Sequence, residues 1–514
     1  QRDGGNPMAH VRMTREEMTP RAIQLSMAGL VVAMLIASID GTIVSTIGPE
    51  IATDLGGLSS YAWMITAYML CETIMIPISG KMSDIYGRRP FFLVGLILFA
   101  GASVAAGLST SMEMLIVSRA FQGLGGGILI PVVTASVGDL YAPEDRPKMQ
   151  GVLSAAFGIG TGAGPLVGGY IAEYMSWHWA FFINVPLAII AFVLAVKGFP
   201  SVSEVEKPKI DYKGVAVLTV LLTDLLIWLT QGGKDFEWIG VESFLMVVIA
   251  VAMLVLFVFV ERRAEDPILS PELFHNPTIR LSCIMMFVFG VAMIGATTYV
   301  SMYAIKVLGY DTLTAGEYAM AMVVGMIVTS MLGGSTVNRI GYRIWLVLGP
   351  IFASIGLFLM AFVPDDPSWL YLVTLLFIFG LGLGCLMSVV TAGVQNCAND
   401  DDMGMTLSSV NLVRSIGATS GTAIFTMIIN RQIDSGLIDL GLPDYIYDVI
   451  PHDTGIAELI GLPGFEMFSP AIKDLFADSL QYSFGVAAVI VLLLVFVGAF
   501  YKVVKIPSKQ VSEE

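Results

Sequence analysis

Fourteen stretches of this sequence are apolar over a length that can cross a lipid bilayer. They lie at about 27–47, 61–80, 91–108, 112–138, 149–172, 179–199, 214–231, 240–260, 279–304, 314–337, 343–363, 368–394, 404–430 and 481–501. A spanning helix needs about 20 predominantly apolar residues. Backbone polar groups find no water inside the bilayer, so such runs must satisfy them internally and fold as helices. Composition points the same way: of 514 residues, 56% are hydrophobic and 13% charged, where soluble domains carry about 25% charged residues. The predicted class is an all-α integral membrane protein with fourteen transmembrane helices.

An even number of spans places both termini on one side. With the N-terminus inside, 21 of the 27 lysines and arginines fall in inside segments. Only Lys234, Lys306, Arg431 and Lys473 fall outside, and Arg119 and Arg414 lie within spans. Such an asymmetry marks the cytoplasmic side, so both termini are expected in the cytoplasm of a plasma-membrane protein. The net charge of −15 argues against a nucleic-acid partner, which requires basic patches. The cysteines (71, 283, 385, 397) and histidines (10, 178, 275, 452) are dispersed, with no metal-ligand spacing. With no P-loop and no G-x-S-x-G, neither an enzyme nor an ATP-driven pump is expected.

The chain repeats itself. Gly80-Lys-Met-Ser-Asp84-Ile-Tyr-Gly87-Arg88-Arg89 is echoed by Gly334-Ser-Thr-Val-Asn338-Arg-Ile-Gly341-Tyr-Arg343, and Gly123, Gly125 and Gly127 by Gly380, Gly382 and Gly384. Gly160 and Gly164 fall on Gly417 and Gly421. Duplicated halves suggest alternating access around a central cavity. The expected layout is a cytoplasmic N-terminus (1–21), an N-terminal six-helix bundle (22–200) and an inserted helix pair with flanking loops (201–278). A C-terminal six-helix bundle (279–503) and a cytoplasmic tail (504–514) follow. The second bundle includes an extracellular segment, 431–480, which reads either as a folded cap or as a loosely ordered loop.

Ionisable groups at membrane depth each cost about 2.5–3.5 kcal/mol on insertion scales, so each calls for a reason. Asp40 lies inside the first span; buried alone it favours the neutral form, and beside Arg119 it ionises. A group with those two options can load and release a proton, although a fixed Asp–Arg pair that only ties helices together is the alternative. Arg119, always charged, and Glu72 complete the proton-coupling candidates. Asp40, Glu72, Glu317, Arg414 and Gln122 are the candidate substrate contacts. Asp224, in the inserted pair, reads as a structural hydrogen-bonding group.

The candidate conformational switch has two parts. Gly80, Asp84, Gly87, Arg88 and Arg89 form an inside latch, in which Asp84 accepts hydrogen bonds from a helix N-terminus. Gly160, Gly164 and Gly168 form a small-residue stripe beside Pro165, where a kink is expected.

These stretches together resemble the major facilitator superfamily, specifically its fourteen-span drug:proton antiporter family, over most of residues 22–430. Gly80–Arg89 resembles its loop 2–3 motif, Arg119–Gly127 its span 4 motif and Gly158–Gly169 its span 5 antiporter motif. Ile39-Asp40-Gly-Thr42, Trp63–Tyr68 and Trp177–Pro186 match further stretches of that branch. Departures from the pattern include Lys81, where an apolar residue is usual, His178 for an arginine and Glu317 for a leucine.

The resemblance implies proton-driven multidrug efflux of the kind that confers antibiotic resistance, with Asp40 and Arg119 in the coupling region. The expected protein is a monomeric antiporter that exports amphipathic, cationic compounds. Its partners are small-molecule substrates, protons and the lipid bilayer; it has no metal and no cofactor, and the proton gradient is its energy source. The alternatives are a dedicated exporter of one metabolite, antibiotic or lipid-linked molecule, and a non-transporting membrane receptor or scaffold.

Overall fold

A computed structural model describes residues 18–56, 60–199, 210–233, 235–310, 312–364, 366–439, 456 and 469–504. The terminal segments 1–17 and 505–514, the linker 200–209 and most of the 440–468 stretch lie outside the described residues, so the cap-or-loop question for 431–480 does too. The ends of that segment are helical, because the helices on either side run on to Asp439 and begin at Ser469.

Among the described residues, fourteen helices are long and apolar enough to cross a membrane. In the first half these are α1 (Pro20–Asp54), α2 (Tyr61–Tyr86), α3 (Arg88–Gly107), α4 (Met112–Leu140), α5 (Arg146–Tyr174) and α6 (Trp179–Gly198), the last interrupted at Ile183. The inserted pair is α7 (Tyr212–Gln231) and α8 (Val241–Glu261). The second half contains α9 (Pro277–Met302), α10 (Thr312–Ile340), α11 (Tyr342–Met360), α12 (Trp369–Cys397), α13 (Met403–Asp439) and α14 (Ser469–Ala499).

The two halves repeat one packing scheme. In the first, α1 packs on α5, α2 on α4, and α3 on α4 and α6; in the second, α9 packs on α13, α10 on α12, and α11 on α12 and α14. Backbone approach explains the repeated glycines. A Cβ at Gly123 would strike the Tyr68 carbonyl, and one at its counterpart Gly380 would strike that of Met322. Gly87 (φ 91°) and Gly341 (φ 90°) each form a one-residue joint between two helices, in a region of backbone space open almost only to glycine.

The halves meet along α5 against α10 and α12, and along α2 and α4 against α13. The inserted helix α7 lies on both α2 and α13. Leu218, Leu221, Leu222 and Leu226 of α7 join Ile76 of α2 and Leu412 of α13 in one buried apolar cluster. The inserted pair therefore covers the seam between the halves on that side.

Candidate functional site

Asp40 is fully buried within the first half, and its carboxylate meets three side-chain donors. Arg119 Nη1 donates to Oδ2 at 2.6 Å, while Gln122 Nε2 and Asn184 Nδ2 donate to Oδ1 at 2.6 and 2.8 Å. Arg119 also donates to Gln122 Oε1 at 2.7 Å, and Gln122 donates to Ser103 Oγ at 2.9 Å. The guanidinium lies over the Tyr68 ring, 4.1 Å from its centroid, a favourable cation–π contact when desolvated. One charge pair thus gathers α1, α2, α3, α4 and α6 around it.

Local sequence places each member. Arg119 and Gln122 are three residues apart on α4 and share a face. Asn184 sits just after the break at Ile183, where α6 resumes. Sequence reasoning reached Asp40, Arg119 and Gln122 but gave no role to Ser103, Asn184 or Tyr68. Neutral polar groups carry no insertion cost large enough to flag them; the available signal was a lone amide in the apolar run of α6.

Glu72 and Arg414 flank the seam between halves. Thr73 Oγ1 and Ser415 Oγ, their chain neighbours, are 2.6 Å apart. The two opposite charges are close enough to interact, yet among the described residues no salt bridge joins them, and Arg414 Nε is buried without a hydrogen-bond partner. Glu317, on the first turns of α10, is exposed. Asp224 does not fill the hydrogen-bonding role expected of it at Oδ2, which is buried and has no partner among the described residues.

On the lysine- and arginine-rich face the two halves are tied together. Asp84 Oδ1 and Oδ2 accept the backbone N–H groups of Gly404 and Met405 at 2.9 and 2.8 Å, at the N-terminus of α13, where a negative charge also meets the helix dipole. Arg88 pairs with Asp84 at 2.5 Å and with Asp139 at 2.7 Å. Gly80 lets α13 approach, since a Cβ there would strike Ser408. Arg89 stays within its own half, donating to the Val196 carbonyl at 3.2 Å.

The second half repeats this latch in neutral form. Asn338, the counterpart of Asp84, donates to the Glu144 carbonyl at 2.6 Å. Asn396 donates to Tyr342 Oη at 2.8 Å, matching the Asp139–Arg88 pair. Arg146 adds a bond to the Gln395 carbonyl at 3.1 Å. Buried Lys81, absent from the sequence-derived latch, lies 2.5 Å from Asp266 of the α8–α9 connection and 3.7 Å from Asp402 beside α13.

The α5 stripe faces its own bundle. Positions for a Cβ on Gly160, Gly164 and Gly168 run into Ser38, Thr42 and Thr46 of α1, one helical turn apart on each helix. The seam with the second half instead uses Gly151, Gly158 and Gly162, which face Ser330, Met326 and Val323 of α10. Around Pro165, α5 continues as one helix from Arg146 to Tyr174.

A family model described as Major Facilitator Superfamily matches residues 30–422. The chain is 35% identical over 419 residues to multidrug transporter protein MdtP of Bacillus subtilis (strain 168), covering 82% of this chain and 77% of that protein. It is 34% identical to multidrug resistance protein 3 of the same organism, covering 80% of each. Among solved structures, a bacterial homolog to the human lysosomal transporter Spinster, in an inward-facing and unoccupied conformation, superposes with a TM-score of 0.61. That likeness has 16% identity and covers 94% of this chain and 97% of that one.

Proposed function

The chain belongs to the Major Facilitator Superfamily, a family of membrane transporters rather than enzymes, and on that premise we propose that it is a proton-coupled antiporter. Its cargo in this reading is amphipathic, cationic compounds, exported across the plasma membrane by alternating access, with both termini cytoplasmic and one chain per transporter.

The observation that carries this reading is the Asp40 cluster. A proton arriving at Asp40 cancels the charge that holds Arg119, Gln122 and Asn184 in place. Those donors belong to α4 and α6, so proton binding changes the packing of the whole half rather than one side chain. The latch supplies the second element: Asp84 and its partners join the halves on the basic face, a contact that alternating access must break and remake. Glu72 and Arg414, at the seam without a salt bridge, supply charged contacts for cargo, and Glu72 is the acid that would favour a cation. The multidrug names of two relatives support a broad cargo range.

Reconstituted transport under an imposed pH gradient tests the reading. Uptake of several unrelated cationic dyes, abolished by collapsing the gradient, is expected. A response to one compound alone would instead favour a dedicated exporter, and no flux at all would favour a receptor or scaffold.

A further inference from the structure

Where the inserted pair meets the basic face, two carboxyl groups turn toward one point. Asp211 begins α7, and its Oδ1 accepts the backbone N–H groups of Lys213 and Gly214 at 3.1 and 2.9 Å. Glu261 ends α8 at 2% exposure, and its Oε2 accepts the Leu269 N–H at 3.3 Å. The remaining oxygens, Asp211 Oδ2 and Glu261 Oε1, are buried and have no hydrogen-bond partner among the described residues. Both face the place where Gly214 lacks a side chain: a Cβ there would lie 2.5 Å from one and 2.6 Å from the other.

Two ionised oxygens in that arrangement repel each other and have lost their water. Two oxygens are also too few for a calcium ion, which takes six to eight. We propose that Asp211 and Glu261 bind one proton between them, the O–H of one carboxyl donating to the free oxygen of the other. This makes the inserted pair a protonation site separate from Asp40.

A cleft of about 520 Å³, lined by Asp211, Lys213, Arg263, Glu265 and Asp266, adjoins the pair. From α2, Lys81 faces the same corner, close enough to act on Glu261 while paired with Asp266 and Asp402. When the shared proton leaves, the pair gains a negative charge beside Lys81 and competes with Asp402 for it. The lysine's hold on the second half then weakens as pH rises.

Infrared spectroscopy of the full-length protein in lipid nanodiscs reads the proton directly, without reference to transport. At neutral pH the wild type is expected to show a carboxylic-acid carbonyl band that shrinks as pH is raised. Glu261→Gln and Asp211→Asn should each lose one carboxylic acid per chain from it, and losing the same component in both supports the pair. Asp211→Asn retains a cap through its amide oxygen, so it gives the reading even where Glu261→Gln fails to fold. Unchanged acid absorption in the folded variants overturns the proposal. So does loss of the wild-type band on adding sodium at fixed pH, which would assign the site to an alkali cation.

Discussion

Asp84 of the first half holds the backbone N–H of Gly404 in the second at 2.9 Å, and its other oxygen holds the next amide along. One carboxylate therefore bridges the seam, and its length and charge both matter. Hydrogen bonds to charged groups contribute about 1.5–3 kcal/mol. Asp84→Asn keeps the shape and loses the charge, and its amide nitrogen must then face an N–H donor. The latch should open about 10- to 150-fold more often, as read by the labelling rate of a cysteine placed on the basic-face seam. An unchanged rate would remove Asp84 from the latch.

Gly80 tests closeness rather than charge. Any side chain there collides with Ser408 and the Gly404 carbonyl, both across the seam. Gly80→Val should expose the basic face as strongly as Asp84→Asn does, while Gly101→Val, at a lipid-facing position with no atom in the way, should leave labelling as in the wild type.

Arg119→Lys keeps a positive charge beside Asp40 but loses the planar fork that serves Asp40 and Gln122 together. Transport should fall at least about tenfold, the effect of roughly 1.4 kcal/mol, with protein yield preserved. Asn184→Leu, which removes a neutral donor from the same carboxylate, should impair proton-driven efflux more than downhill, gradient-free equilibration of the same dye.

Lys81 and Asp402 are expected to be coupled across the seam. In a double-mutant cycle with Lys81→Met and Asp402→Asn, thermal stability should show an interaction of about 0.5–3 kcal/mol. Additive effects would mean that the 3.7 Å approach contributes nothing, as many ion pairs do.

Much of this architecture was legible because hydrophobic length and repeated glycine motifs are strong, local signals. The fourteen spans followed from hydrophobic length, the duplication from the echoed glycine motifs, Asp40 and Arg119 from their charge within apolar runs, and Gln122 from lying one turn beyond Arg119. Long-range partners carried no such signal. That Asp84 meets Gly404 depends on contacts more than 300 positions apart, and which face of α5 turns toward α10 depends on packing. The stripe of Gly160, Gly164 and Gly168 gave its spacing in the sequence but not its neighbour, α1. Glu317 reads in the sequence as an acid near the outer end of its span that either meets substrate or faces external water, and it is exposed. Lys81 was visible only as a departure from a family pattern, and its role came from acids on two other segments.

The central claim is that Asp40 exchanges a proton as the halves rock. Proteoliposomes holding wild type or Asp40→Asn, loaded with a pH-sensitive dye and given a cationic substrate, measure proton movement and substrate movement together. Substrate-driven proton flux in the wild type and none in Asp40→Asn is the predicted result. Equal proton flux in both, at equal substrate flux, would contradict the account.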